Sequence, residues 1–137
     1  IRYQKRISGP ILDRIDLHLE VPAVNVDKLT KEFKTESSFE IRKRVQKARN
    51  RQKERFKKTN FTCNSEMTPS KIKEFCPLNK ECLELLRQSV NRLNLSARSF
   101  FRLIKVSRTI ADLEDKDEIS VENLAEALQY RPRGESY

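Results

Sequence analysis

Ser96-Ala97-Arg98-Ser99-Phe100-Phe101-Arg102-Leu103-Ile104-Lys105-Val106-Ser107-Arg108-Thr109-Ile110-Ala111-Asp112-Leu113 is the most hydrophobic helical stretch of the chain, and the fold is read outward from it. Ser96 supplies a capping hydroxyl. Phe100, Phe101, Leu103, Ile104, Val106, Ile110, Ala111 and Leu113 form a broad apolar surface, and Arg98, Arg102, Lys105, Thr109 and Asp112 form the expected polar face. Downstream, Ser120 caps a last helix with Val121, Leu124, Ala125 and Leu128 turned inward. Upstream, a helix from about Asn79 to Leu93 carries Leu83, Leu86, Val90 and Leu93 at spacings of 3, 4 and 3. Thr68-Pro69 starts a shorter helix with Ile72 and Phe75, which stops before Pro77. Asn60 to Met67 is polar and reads as a loop.

Before that loop lies a long helix. Ser37 and Glu40 fit a capping box. Ile41, Val45, Ala48, Gln52 and Phe56 make a narrow seam, and the other faces are basic. From residue 37 onward the pattern is that of a compact helical bundle, mainly α, with its core between residues 72 and 128. The N-terminal part differs. Ser8-Gly9-Pro10 reads as a turn or helix start, and Ile11 to Ile15 as a short helix. Asp16 to Val21 alternates with period two, which predicts a half-buried strand with Leu17, Leu19 and Val21 on one face and His18 on the other, stopped by Pro22. Residues 22–36 read as a linker with one possible helical turn. A lone strand forms no sheet, so its partners are expected elsewhere. Together with a first residue that is Ile1 rather than Met, this implies a segment of a longer protein.

The formal net charge is +9 over 137 residues, from 29 basic and 20 acidic side chains. Residues 42–58 alone hold ten basic residues and one acid, Glu54, which accounts for the whole excess. The rest of the chain is electroneutral, unlike a chain that is basic throughout in the manner of a ribosomal or histone-like protein. Glycine occurs only as Gly9 and Gly134, so this chain by itself holds no Gly-rich phosphate cradle. The single histidine, His18, gives no support to Ser-His-Asp or Cys-His catalysis. Cys63, Cys76 and Cys82 contain no C-x-x-C pair and read as reduced, semi-buried thiols of a cytoplasmic protein, with no zinc or other metal expected. No run approaches the length of a membrane span, and no membrane partner is expected.

Three places carry candidate chemistry. Arg14, in Ser8-Gly9-Pro10-Ile11-Leu12-Asp13-Arg14-Ile15-Asp16, stands at a helix end just before the strand. Its guanidinium either matches phosphate oxygens in pairs or makes a salt bridge to Asp13 or Asp16, which composition alone favours. Arg98 lies in the first turn of the helix capped by Ser96, where helix charge favours an anion and disfavours a cation, so that it either serves a ligand or is solvated. The basic helix, with Arg42, Arg44, Lys47, Arg49, Arg51 and Arg55, either neutralises phosphates of a nucleic acid, contacts another subunit, or is a solvated face.

The block Ser8-Gly9-Pro10-Ile11-Leu12-Asp13-Arg14-Ile15-Asp16, the pair Leu95-Ser96-Ala97-Arg98 and Arg108-Thr109-Ile110-Ala111-Asp112-Leu113, and Leu124 to Arg131 together resemble the magnesium chelatase-related AAA+ family, most nearly its ComM-like group. The resemblance covers nearly the whole chain in order. It implies that residues 1–36 are the trailing edge of an α/β ATPase core, with one remnant strand, and that residues 37–137 are the helical lid. It implies a ring, usually a hexamer, that binds ATP and Mg²⁺ between subunits. Arg14 matches the arginine finger, acting in trans, and Arg98 the sensor-2 arginine, acting on its own subunit's ATP. The family's Walker A, Walker B and sensor-1 elements match no residues of this chain, so this chain alone is expected neither to hydrolyse ATP nor to hold it firmly. DNA remodelling in recombination or transformation is the expected task. Magnesium insertion into a porphyrin is the alternative, and a stand-alone nucleic-acid-binding helical module the second.

Overall fold

The structure is a computed structural model and describes residues 11, 14–23 and 35–131. The Ser8-Gly9-Pro10 turn, Leu12, Asp13 and most of the linker lie outside the described residues. Five α-helices are formed among those described: α1 Ser38–Arg55, α2 Pro69–Phe75, α3 Lys80–Leu93, α4 Ala97–Leu113 and α5 Val121–Gln129, with a 3₁₀ turn at Asn64–Glu66. None is long and apolar enough to cross a membrane.

Helix starts follow the local chemistry. The Ser37 hydroxyl accepts the Glu40 N–H at 3.3 Å while the Glu40 carboxylate accepts the Ser37 N–H at 3.0 Å. The Ser96 hydroxyl accepts the Ser99 N–H at 3.1 Å, and Ser120 and Asn123 form a second reciprocal box. Each such cap contributes about 1 kcal/mol. Pro69 opens α2, but the Thr68 hydroxyl lies 3.1 Å from the Ser70 hydroxyl and makes no cap hydrogen bond.

Helix α4 is the hub. It packs against α1, α2, α5 and the 3₁₀ turn, and α3 packs on α5. The core joins Phe56, Met67, Ile72, Cys76, Cys82, Leu86, Leu103, Ile104, Ile110, Ile119, Leu124 and Ala127. It therefore begins well before residue 72, because the end of α1 and the polar loop after it turn inward. Phe56 stands edge-on to Phe61 and Phe75, with ring centroids 5.9 and 5.3 Å away. Full burial of a side chain such as Leu86 or Leu124 stabilises by roughly 1.5–3 kcal/mol.

Several expectations are corrected. Residues 16–21 form no strand, and none is present among the described residues. Leu17, Leu19 and Val21 are 50%, 69% and 88% exposed, so the alternating face is not covered among the described residues. Ile11, by contrast, is helical as expected, and the Arg14 N–H donates to the Ile11 carbonyl at 3.0 Å. Asp112, assigned to the polar face of α4, is 1% exposed. Leu83 and Leu93 face outward while Cys82, Leu86 and Ser89 are buried, so α3 is rotated from the leucine seam. On α5 it is Ala127, not Ala125, that is buried. Ile41 and Val45 are also exposed, because only the C-terminal half of α1 reaches the bundle.

Candidate functional site

The chain's arginines fall into two kinds. The first is bound into the protein. Arg108 is 2% exposed on α4 and pairs with Asp112 one turn on, its Nε donating at 3.2 Å. Its two terminal nitrogens each donate at 2.6 Å to the carbonyls of Lys116 and Asp117, holding the α4–α5 loop. Arg55, from α1, forks onto the same Asp112 carboxylate and also donates to Asn64 Oδ1 at 2.9 Å. Asn64 Nδ2 in turn donates to Asp112 Oδ2 at 2.9 Å and to the Thr109 hydroxyl at 3.0 Å. A buried carboxylate is thus hydrogen-bonded by two guanidinium groups and an amide, with Arg51 Nε a third cation 3.9 Å away, the condition under which a buried charge is tolerated. Burial pushes the Arg108 guanidinium down from its ordinary value and Asp112 opposes that shift.

The same network absorbs much of the basic helix. Arg51 pairs with Asp117 and with Asp115 at 3.0 Å, and donates to the Lys116 carbonyl at 3.0 Å. Its guanidinium is held above the ordinary value, first by the Asp117 hydrogen bond. Lys47 reaches Asp115 at 2.6 Å, and Arg44 forks onto Glu36 at 2.6 and 3.1 Å. Of the six basic-helix candidates, only Arg42 and Arg49 have neither an ion pair nor a hydrogen bond from their side chains among the described residues. With Lys53 they lie on one exposed stripe of α1, at spacings of 7 and 4, in line with Phe39, which is 75% exposed.

The second kind faces outward. Arg14 and Arg98 are both exposed, and neither side chain is paired among the described residues. They line one open groove of about 640 Å³. Its cationic edge is completed by Arg102 and Lys105 from the same face of α4, and its apolar floor by Val106, Ile110 and Leu113. Arg102 donates to the Ile15 carbonyl at 2.9 Å and to the Ser99 hydroxyl at 3.2 Å, and Lys105 donates to the Ser65 carbonyl at 2.7 Å. Arg98 is the second residue of α4, beside N–H groups that carry the positive end of the helix. A site with two unpaired guanidinium groups and a helix N-terminus fits phosphate oxygens or a carboxylate. Arg14 does not pair with Asp16, one of the two acids expected for it; the other, Asp13, lies outside the described residues.

A smaller cavity of about 360 Å³ adjoins the groove, sharing Asp16, Arg102 and Val106 and adding Arg92 and Arg131. The sequence reading had singled out none of Arg92, Arg102 or Lys105 as site residues. Their positions on the polar faces of helices were visible, but the return of residues 14–19 against α4 was not. The three cysteines are free, and among the described residues no group of His, Cys, Asp and Glu is placed to hold a metal ion.

Comparison with known proteins covers almost the whole chain. A family model described as "Magnesium chelatase, subunit ChlI C-terminal" matches residues 35–131, and one described as "Magnesium chelatase, subunit ChlI" matches residues 1–29. The chain is 42% identical over 132 residues to the competence protein ComM of Haemophilus influenzae, and 42% identical over 132 residues to the uncharacterized protein YifB of Escherichia coli K12. An uncharacterized protein of Mycobacterium bovis, Mb2921c, is 31% identical over 134 residues. These alignments take in 96–97% of this chain but only 25–26% of each relative, so the chain spans about a quarter of their length.

Proposed function

Because the chain belongs to the magnesium chelatase ChlI family, and its residues 35–131 to that family's C-terminal domain, we propose that it contributes two phosphate-reading arginines to a ring-forming AAA+ ATPase. Arg98 acts as sensor 2 on the ATP of its own subunit. Arg14 acts as the arginine finger on the ATP of the neighbouring one. Fixed positive charge on the transferring phosphoryl group is the physical basis of both roles.

One observation carries this reading. Arg44, Arg51, Arg55 and Arg108 are tied to carboxylates, whereas Arg14 and Arg98 have no partner among the described residues and, unlike the equally unpaired Arg42 and Arg49, line this groove. Unpaired guanidinium groups contribute little to stability, so a ligand is the economical account of their placement. Each guanidinium by itself suits phosphate oxygens, Arg98 those of its own subunit's ATP and Arg14 those of the neighbour's, so the groove is not read as one nucleotide's pocket; the ligands of the accompanying Mg²⁺ belong, in this reading, to the ATPase core.

The test is made in a full-length family protein carrying these residues. Arg14→Ala is expected to slow ATP hydrolysis about 10³-fold or more while leaving ATP binding intact. Arg98→Ala is expected to weaken ATP binding as well as hydrolysis. Mixing the two inactive variants separates trans from cis. A site in an Arg14→Ala subunit next to an Arg98→Ala subunit has both arginines, so random mixing restores roughly a quarter of the sites. Normal turnover in Arg14→Ala, or no recovery on mixing, removes the finger assignment.

The work done by the ring is read from the exposed stripe Phe39, Arg42, Arg49 and Lys53, which presents cations and one aromatic ring in the manner of a nucleic-acid contact. DNA is the substrate this stripe favours; the Haemophilus relative is a competence protein. Coupling to magnesium insertion is the alternative, which a lack of DNA stimulation of ATP hydrolysis would favour.

A further inference from the structure

Arg14 sits in a stretch with little apolar anchorage. Its neighbours Ile15, Leu17, Leu19 and Val21 are all at least 43% exposed, so packing does not fix where the backbone runs. Hydrogen bonds do. The carbonyl of Ile15, the residue that follows Arg14, accepts from Arg102 Nη1 at 2.9 Å, across 87 positions of sequence. The His18 N–H donates to the Tyr130 carbonyl at 2.7 Å, at the end of α5. The His18 ring nitrogen Nε2 lies 3.2 Å from the same Ile15 carbonyl.

Arg102 is held in turn. Its Nη2 donates to the Ser99 hydroxyl at 3.2 Å, and the Ser99 N–H is the one capped by Ser96. A hydrogen-bonded chain therefore runs from the first turn of α4, where Arg98 sits, through Ser99 and Arg102 to the peptide beside Arg14. The bond to Ile15 is charge-assisted and comes from a half-buried, planar donor, so it constrains direction as well as distance.

We propose that Arg102 is a positioning residue: it fixes the backbone beside Arg14 relative to the N-terminal turn of α4, and so aims Arg14 out of the groove edge. This rests on the finger role proposed for Arg14. Arg102 touches no reacting atom in this role. Its removal leaves Arg14 present and charged but no longer aimed.

The experiment has two arms that fail separately. In the 137-residue chain, Arg102→Ala is expected to speed hydrogen exchange of the His18 amide at least tenfold while the amides of α4 and α5 keep their protection. In the full-length ATPase, Arg102→Ala is expected to lower kcat with KM for ATP unchanged, and Arg102→Lys, which keeps the charge but loses the fork, to fall between. The double variant Arg14→Ala/Arg102→Ala is expected to be no slower than Arg14→Ala alone. Arg102→Ala is expected to recover activity when mixed with Arg98→Ala, as Arg14→Ala does. Unchanged exchange at His18, a raised KM, additive losses in the double variant or failure to recover on mixing each overturn the proposal. If Arg14→Ala itself turns over normally the finger reading is lost, and the exchange arm still reports whether Arg102 holds the segment.

Discussion

Two sets of arginines sit within one small bundle, and their surroundings give them opposite work. Arg55 and Arg108 converge on Asp112, whose side chain is 0% exposed, and bind α1, α4 and the α4–α5 loop into one unit. Arg14 and Arg98 stand on a groove edge with no partner among the described residues. The difference shows that an arginine's role here is decided by whether a carboxylate is brought to it, not by how many cations lie near it in sequence. Arg51 and Arg55 belong to the dense basic run of residues 42–58, yet they are structural. Arg14 and Arg98 lie in the electroneutral remainder and have no partner among the described residues; within the run the same holds for Arg42 and Arg49, which lie outside the groove.

The comparison is broken most directly at Asp112. Asp112→Ala leaves the fully buried Arg108 and the largely buried Arg55 without their shared counter-charge, and removes the more distant one of Arg51. It is expected to cost about 3–5 kcal/mol in urea or thermal unfolding. Arg98→Ala is expected to change unfolding by no more than about 0.5 kcal/mol. Equal effects from the two would erase the distinction.

A smaller effect is expected from the thiol packed beside the clasp. Burial pushes the Cys76 thiol up to about 11, an effect that Arg108 and Arg55 partly oppose. The unfolded chain releases this proton at the ordinary thiol value, so between that value and about 11 the native state binds more protons. This contribution to stability is therefore complete below the ordinary value and is lost as pH rises through this window, up to about 3 kcal/mol. Cys63 behaves oppositely, its thiol lowered chiefly by the Ser65 hydroxyl hydrogen bond. Mass-resolved alkylation at mildly alkaline pH is expected to label Cys63 first and Cys76 only on unfolding; early labelling of Cys76 would show that the clasp opens.

The smallest stability effect, and the finest test, is on α1. Neutralising Arg42, Arg49 and Lys53 together is expected to leave stability within about 0.5 kcal/mol. If these side chains contact DNA phosphates, the same change lowers the salt slope of DNA binding by roughly two to three. An unchanged slope would make the exposed half of α1 a solvated face. Neutralising Arg51 and Arg55 instead is expected to unfold the chain more easily, and so reports on the clasp rather than on DNA.

Much of this fold was legible because its signals are local. Ser37 with Glu40, Ser96 and Ser120 each lie within three residues of the N–H groups they cap, and Pro69 and Pro77 act on their own turn of chain. The errors share a cause. Asp112 was assigned to solvent because it is polar, but its partners Arg55 and Asn64 come from 57 and 48 residues away. The polar stretch from Asn60 to Met67 read as an open loop, whereas Asn64 and Met67 are each 2% exposed within the bundle. The alternation of residues 16–21 is the pattern of a strand, but a strand needs a neighbouring strand to complete its backbone hydrogen bonds, and here the His18 N–H is taken by the Tyr130 carbonyl at the end of α5.

By itself the sequence determined the helices and most of their starts and stops. These depend on interactions within a turn or two of chain, which the order of residues specifies directly. Only the tertiary structure decided which charged side chains are buried with partners and which stay open. That choice depends on bringing α1, the Asn64 turn and α4 to one point, where the low-dielectric interior makes a paired charge tolerable and an unpaired one costly.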